Sequence, residues 1–251
     1  MDHIITRYRY ELKRRQLVVQ DVKRLTPGMQ RIVLTGADMA DFESMAPDDH
    51  VKLFFTGADG EPTGRDYTPR AFDNKAQTLT IDFALHDEQA GEPGPATKWA
   101  MQAKIGDELT VGGPRGSTLV PNNFDWWLLI GDETALPAIG RRLQEFPAGT
   151  RVTSLITVTS TQEQQEFKTS TQHELIWLHR PAEQAHSPAV LLDALKALDL
   201  PQGDGFVWIG AEGMVARAVR AYLVEERGHP LAWTKSSGYW VHGIADAHDE
   251  G

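Results

Sequence analysis

Arg65-Asp66-Tyr67-Thr68-Pro69-Arg70 brings a guanidinium, a phenol ring and a short hydroxyl together in one hexapeptide. In an extended segment, alternation points Arg65 and Tyr67 the same way and Thr68 the other. Tyr67 in that arrangement can lie on a flat heterocycle while Arg65 reaches a diphosphate through a bidentate fork. That is a flavin site in outline. Thr-Pro-Arg is also ordinary loop chemistry, so the hexapeptide decides the fold only together with its surroundings.

Around it the first half of the chain reads as strands. Thr78–His86 alternates, with Leu79, Ile81, Phe83 and Leu85 on one face and Thr80, Asp82, Ala84 and His86 on the other. Short strands are expected at Gln30–Thr35, His50–Phe55 and Glu108–Gly112, separated by Gly, Pro and Asp turns. A small antiparallel barrel fits this pattern. After Pro121-Asn122-Asn123 the pattern changes: strand Trp126–Ile130, helix Leu136–Phe146, strands Arg151–Val158 and Glu174–Leu178, helix Pro188–Leu198, strand Phe206–Ile209. Val215, Ala218, Val219, Tyr222 and Leu223 have helical spacing. Strands alternating with helices predict a parallel sheet. The division is therefore a barrel domain over residues 1–121, an α/β domain over 125–245 and a short acidic, disordered tail over 246–251.

The composition bounds the chemistry. The chain has 251 residues, 41% hydrophobic and 24% charged, enough for two cores of ordinary size. It has no cysteine, which excludes disulfides, thiolate catalysis and an iron–sulfur cluster held by its own thiolates. Electron transfer then requires an organic cofactor. A net charge of −10 argues against general nucleic-acid binding. No apolar run approaches a membrane span, and Met1–Gln16 lacks a hydrophobic signal core, so no stable membrane association is expected and the cytoplasm is the expected location. His242, His248 and the other scattered histidines lack ligand spacing, so no resident metal is expected.

Arg65-x-Tyr67-Thr68 resembles the R-x-Y-[ST] flavin motif of the ferredoxin–NADP reductase superfamily. Gly106-Asp107-Glu108-Leu109-Thr110-Val111-Gly112-Gly113-Pro114-Arg115-Gly116-Ser117 resembles the strand and turn that close the barrel there. Gly131-Asp132-Glu133-Thr134-Ala135-Leu136-Pro137 and Gly238-Tyr239-Trp240 narrow the match, and the chain resembles the siderophore-interacting proteins from about Arg15 to Gly243. The resemblance implies an N-terminal antiparallel six-stranded FAD-binding barrel, a parallel-sheet NAD(P)H-binding domain, and reduction of a ferric siderophore.

It also implies site residues. Arg65, Tyr67 and Thr68 are expected to hold FAD; Arg70 is either a flavin contact or a surface charge. Gly94-Pro95-Ala96-Thr97-Lys98-Trp99 matches the family's GPA-x-x-WA segment. Gly94, Ala96 and Thr97 there form a second candidate for the phosphate end, because a helix N-terminus offers unpaired amides and the positive end of a dipole. Trp99 reads as core. The resemblance adds His86, Gly116, Ser117, Asp132, Thr134 and Trp240 to the cofactor set, and Lys52 and Lys235 as a basic pocket for an anionic ferric chelate. No G-x-G-x-x-G follows strand Trp126–Ile130, since Glu133 and Thr134 occupy the turn, so backbone approach to a pyrophosphate is less easy there. Gly210-Ala211-Glu212 is expected at the same carboxyl edge. Arg141 and Arg142 suit either a 2′-phosphate or, in preference, an exposed basic helix face.

The expected reaction is hydride transfer from NADPH or NADH to FAD, then electron transfer to chelated Fe(III). Hard oxygen chelators hold Fe(III) better than Fe(II), so reduction releases the metal; iron is substrate. No side chain is assigned a catalytic role. The alternatives are a general NAD(P)H–flavin or ferredoxin-type reductase and a non-catalytic flavin- or siderophore-binding protein. The siderophore, the choice among NADPH, NADH and ferredoxin, and the oligomeric state stay open.

Overall fold

A computed structural model describes residues 3–57, 60–85 and 93–244 and the backbone of Asp249–Glu250. The chain divides into two compact units, Ile4–Val120 with Pro137–Arg142, and Pro121–Leu136 with the chain from Leu143 onward and His3.

The first unit contains strands β1 (Thr6–Arg9), β2 (Arg14–Thr26), β3 (Met29–Thr35), β4 (Val51–Thr56), β5 (Pro62–Tyr67), β6 (Pro69–Asp73) and β7 (Thr78–Ala84). Helix α1 (Pro95–Gln102) and strands β8 (Glu108–Gly112) and β9 (Gly116–Leu119) follow. Seven of these strands form one antiparallel sheet in the order β5-β4-β8-β2-β3-β7-β6, and β1 pairs with β9 as a separate ribbon. Alternation places Leu17 and Val19, Ile32 and Leu34, Val51 and Leu53, and Leu79, Ile81 and Phe83 in one core. Tyr67 of β5 lies 4.5 Å from Phe83 of β7 although four strands separate β5 from β7 within the sheet. The sheet is therefore curled around its core, as the barrel expectation requires. It has seven strands, not six. Pro69 has no N–H to continue the β5 ladder, so the chain breaks at Thr68 and restarts as β6 on the far side of β7.

The second unit carries β10 (Trp126–Gly131), α2 (Leu136–Glu145, of which Pro137–Arg142 pack with the first unit), β11 (Arg151–Val158), β12 (Gln172–His179), α3 (Ala189–Ala197), β13 (Gly205–Glu212), α4 (Gly213–Ala221) and β14 (Thr234–Trp240). The order β12-β11-β10-β13-β14 is parallel throughout. Every residue of β10 and β13 is buried, which is what covering both faces of a parallel sheet demands. Strand order reverses between β10 and β13, the switch point where ligands of such sheets collect. In the tail expected to be disordered, Asp249–Glu250 form β15, antiparallel to Ser237 and Gly238, because edge strand β14 leaves backbone groups open to pairing. The rest of that tail lies outside the described residues.

Candidate flavin and nucleotide sites

On β5 the register pairs Arg65 with Leu53, Tyr67 with Val51 and Asp66 with Lys52. Directly opposed residues share a sheet face, so Arg65 and Tyr67 face inward with Val51 and Leu53, while Asp66 and Lys52 face outward. The expected alternation holds for Arg65 and Tyr67. Arg65 Nη1 donates to Thr63 Oγ1 at 2.9 Å and to the Gly64 carbonyl at 2.8 Å, which anchors the guanidinium along its own strand. Burial pushes the Tyr67 phenol pKa up, and its ring packs on the core. Thr68 is buried at the strand break.

Helix α1 has Gly94, a residue without a side chain, as its N-cap and Pro95 in its first turn. Proline suits this position, since its missing N–H is one that the helix leaves unpaired. Ala96, Thr97 and Ala100 form the buried face, and the Trp99 ring packs 5.8 Å from Phe83 and 5.7 Å from Phe55, a core residue as expected. Phe83 thus touches both Tyr67 and Trp99, tying β5 and α1 into one core. Arg70 Nε lies 3.9 Å from Asp82, a buried carboxylate gripped by Arg31 Nε and Nη2 at 2.6 and 2.7 Å. His86 lies outside the described residues.

Gly116 and Ser117 serve the fold. A Cβ on Gly116 would stand 2.1 Å from the Tyr8 carbonyl, so the β1–β9 ribbon admits only glycine there. Ser117 Oγ donates to Asp49 Oδ2 at 2.6 Å and accepts from the Met45 amide, with the Tyr10 hydroxyl also at 2.6 Å. Asp49 accepts from Ser44 and the Ala46 amide as well; burial raises its pKa against these bonds. The same loop receives Arg141, which donates to Ser44 Oγ, the Ser44 carbonyl and the Pro69 carbonyl, and Arg142, 3.1 Å from Asp48. Both arginines are 5% exposed or less. The expected exposed basic face is therefore wrong: off the apolar stripe of α2 they meet a polar loop, not water.

At the carboxyl edge of the parallel sheet, three residues expected to touch cofactor converge on one another. Asp132 Oδ1 accepts from the Thr134 amide and hydroxyl, and Oδ2 accepts from the Glu212 amide at 3.0 Å and the Trp240 indole at 2.9 Å. One carboxylate thereby joins the ends of β10, β13 and β14. Glu212, fully buried, caps α4: Oε2 accepts from the Met214 and Val215 amides at 2.7 and 3.1 Å, and Oε1 accepts from the His242 amide. Glu133 pairs with Arg180 at 2.6 Å. Burial, reinforced by Asp132 and opposed by Arg180, pushes the Glu133 carboxyl up to about 7. Sequence reasoning missed Arg180 and the capping role of Glu212; an acid directly before the Gly-Met-Val helix start was the available signal for the cap. A cleft of about 440 Å³, lined by Trp126, Arg151, Gln172 and Leu200 among others, opens at the opposite, amino-terminal end of these strands.

The two lysines expected to form a basic pocket belong to different units. Lys52 Nζ lies 3.1 Å from Asp66, its stem covers Gly64 so that a Cβ there would stand 2.7 Å from Lys52 Cδ, and it occupies the sheet face opposite Arg65 and Tyr67. Lys235 pairs in register with Trp208, four positions before Glu212 ends β13, roughly 13 Å from the carboxyl edge.

Comparison with known proteins agrees with this architecture. The family model described as siderophore-interacting protein matches residues 124–243, and the siderophore-interacting FAD-binding domain matches 18–62 and 56–118. The chain belongs to the siderophore-interacting proteins. This member is 34% identical to the NADPH-dependent ferric-chelate reductase of Escherichia coli (strain K12), over 93% of this chain and 95% of that protein. It is 29% identical to the ferric vibriobactin reductase ViuB of Vibrio cholerae, over 72% of this chain and 71% of that protein. The crystal structure of a siderophore utilization protein from T. fusca superposes with a TM-score of 0.89 at 38% identity, covering 98% of this chain and 99% of that one. The residues present fit the family's FAD: the inner face of β5 offers Arg65 beside an aromatic ring, and α1 opens on Gly94, an N-cap residue with no side chain of its own to occupy the first amides. Among the described residues no helix is long and apolar enough to cross a membrane.

Proposed function

We propose that this protein is an FAD-dependent ferric-siderophore reductase that takes electrons from NADPH or NADH in the cytoplasm. The observation that carries the reading is the β5 register, which puts Arg65 and Tyr67 on one face of the unit that also holds the Gly94-capped start of α1. Arg65 binds and orients the diphosphate, α1 supplies amides and a favourable dipole end, and Tyr67, fixed on Phe83, offers a flat wall that keeps water from the ring system. FAD supplies acceptance of a hydride and release of its two electrons one at a time. One nicotinamide oxidised therefore accounts for two Fe(III) reduced, with one proton released to solvent. The reductase relatives' names support a ferric chelate as acceptor, and loss of affinity for Fe(II) frees the metal from a hard oxygen ligand. The doubly wound sheet, with its switch point between β10 and β13, supports a nicotinamide nucleotide as donor.

The test is an anaerobic titration of the purified holoprotein with NADPH and with NADH, followed by flavin absorbance, then addition of ferric siderophores. The expected result is bleaching by a nicotinamide and recovery of colour with two Fe(II) formed per nicotinamide. Bleaching by neither nucleotide would sink the proposed donor. Recovery with protein acceptors but not with ferric chelates would make the protein a general flavin reductase.

A further inference from the structure

The carboxyl edge of the second unit is closed to phosphate at the two places where such sheets ordinarily bind it. In dinucleotide folds the diphosphate rests on the helix start after the first strand, held by backbone amides. Here the turn after β10 is capped by Asp132, which takes the Thr134 amide, and the start of α4 is capped by Glu212, which takes the amides of Met214 and Val215. Both helix starts spend their amides on the chain's own carboxylates, and the field they present to an anion is negative.

Positive charge enters this edge from another strand. Arg180 directly follows β12, and its backbone N–H donates to the carbonyl of Val158, the last residue of β11, so the arginine is stapled beside the end of the second strand of the domain. Its side chain is 2% exposed, and Nη2 reaches Glu133 at 2.6 Å. Nη1 is buried and makes no hydrogen bond to any described residue. The same holds for Gln165 Nε2, in the segment that leaves β11, and for His186 Nδ1, in the segment that leaves β12. The His186 ring stacks on His242 at 4.4 Å, and the His242 amide is held by Glu212. A buried donor left without a partner costs about 1–3 kcal/mol, and native structures rarely keep one without a reason. An acceptor-rich ligand supplies the reason.

In doubly wound domains the end of the second strand is where the adenosine ribose is read, and a nearby arginine there accommodates a 2′-phosphate. We propose that Arg180 binds the 2′-phosphate of NADPH through Nη1, with Glu133 holding the guanidinium in place, so that preference for NADPH over NADH is set by Arg180 and not by Arg141 or Arg142. The inference rests on the reading that a nicotinamide nucleotide binds this unit. A protonated Glu133, favoured by its burial, leaves the arginine charge available to the incoming phosphate. Thr159, Ser160 and Thr161, next in the chain after β11, add hydroxyl donors at the same strand end.

The experiment is equilibrium binding of non-reducing probes to oxidised holoprotein by calorimetry: NADP⁺ against NAD⁺, and 2′-phospho-AMP against AMP. Arg180→Ala is paired with Arg180→Lys, which keeps the charge, and with the double variant Glu133→Gln/Arg180→Ala, which does not strand a buried carboxylate. FAD content and thermal unfolding establish that each variant is folded. The expected result is a 10- to 100-fold loss for NADP⁺ and 2′-phospho-AMP in the alanine variants, less than a twofold change for NAD⁺ and AMP, and partial recovery with lysine; the size is that of one charge-assisted contact. An equal loss for NADP⁺ and NAD⁺ would place Arg180 on the diphosphate and overturn the 2′ assignment. Wild-type affinity for all four probes in the double variant would overturn the anion site altogether. Failure of the wild-type protein to bind either dinucleotide would instead sink the donor reading on which the inference stands.

Discussion

Replacing Asp132 by asparagine tests whether the turn after β10 holds the sheet together or waits for a ligand. The carboxylate accepts four hydrogen bonds, two from Thr134 and one each from the Glu212 amide and the Trp240 indole. Asparagine keeps one acceptor oxygen and turns its amide group toward the other pair of donors, so about two charge-assisted bonds are lost. At roughly 1.5 kcal/mol or more each, the expected cost is about 3 kcal/mol. At roughly 2–4 °C per kcal/mol, this lowers the unfolding midpoint by about 6–12 °C. Tryptophan fluorescence is the suitable probe, because Trp126, Trp127, Trp177, Trp208, Trp233 and Trp240, six of the seven tryptophans, lie in the second unit. FAD content measured by extraction should stay at the wild-type value, since Arg65 and α1 belong to the first unit. An unchanged midpoint with impaired nucleotide binding would refute the reasoning and return Asp132 to direct ligand contact.

Arg65→Ala should lower FAD occupancy in the purified protein, because it removes a fork worth roughly 1.5–3 kcal/mol toward a diphosphate; full occupancy after extraction would remove Arg65 from the site. Arg142→Ala removes one partner of a buried ion pair with Asp48 and should cost up to about 3–5 kcal/mol by urea midpoint, whereas the double variant with Asp48→Leu should recover much of it. Glu133 gives a pH dependence of definite sign: its folded-state pKa of about 7 lies above the ordinary value of 4.5, so the folded state keeps a proton that the unfolded state has lost. Stability should fall as pH rises from about 4.5 to about 7, by up to about 3 kcal/mol, and level off above. Glu133→Gln should flatten that decline between pH 5 and 7.5, and identical slopes in the two proteins would remove Glu133 as its source.

What could be read from the chain alone followed from local periodicity. The alternation Leu79, Ile81, Phe83 and the fully apolar Trp126–Gly131 each state their own burial, so those two strands were legible within two residues, whereas the long β2 and the edge strand β14 were not read from the chain. The motif order in turn fixed the family. Register was not legible, because it depends on which strand lies opposite and by how many residues it is shifted. Only the pairing of β4 with β5 revealed that Lys52 lies on the face away from Arg65 and Tyr67, and only the parallel register of β14 set Lys235 back from the carboxyl edge. Arg141 and Arg142 show the same limit from the side of burial: a polar stripe on a helix predicts water, yet here it meets the Ser44–Asp49 loop, whose carbonyls and carboxylate are more than 90 residues away in sequence. The Asp132 hub, the Glu212 cap and the Arg180–Glu133 pair join strand ends that are distant in the chain and adjacent only after the sheet has formed. Local pattern specifies which face of each element is buried; which charges meet at the edge is decided when those faces find each other.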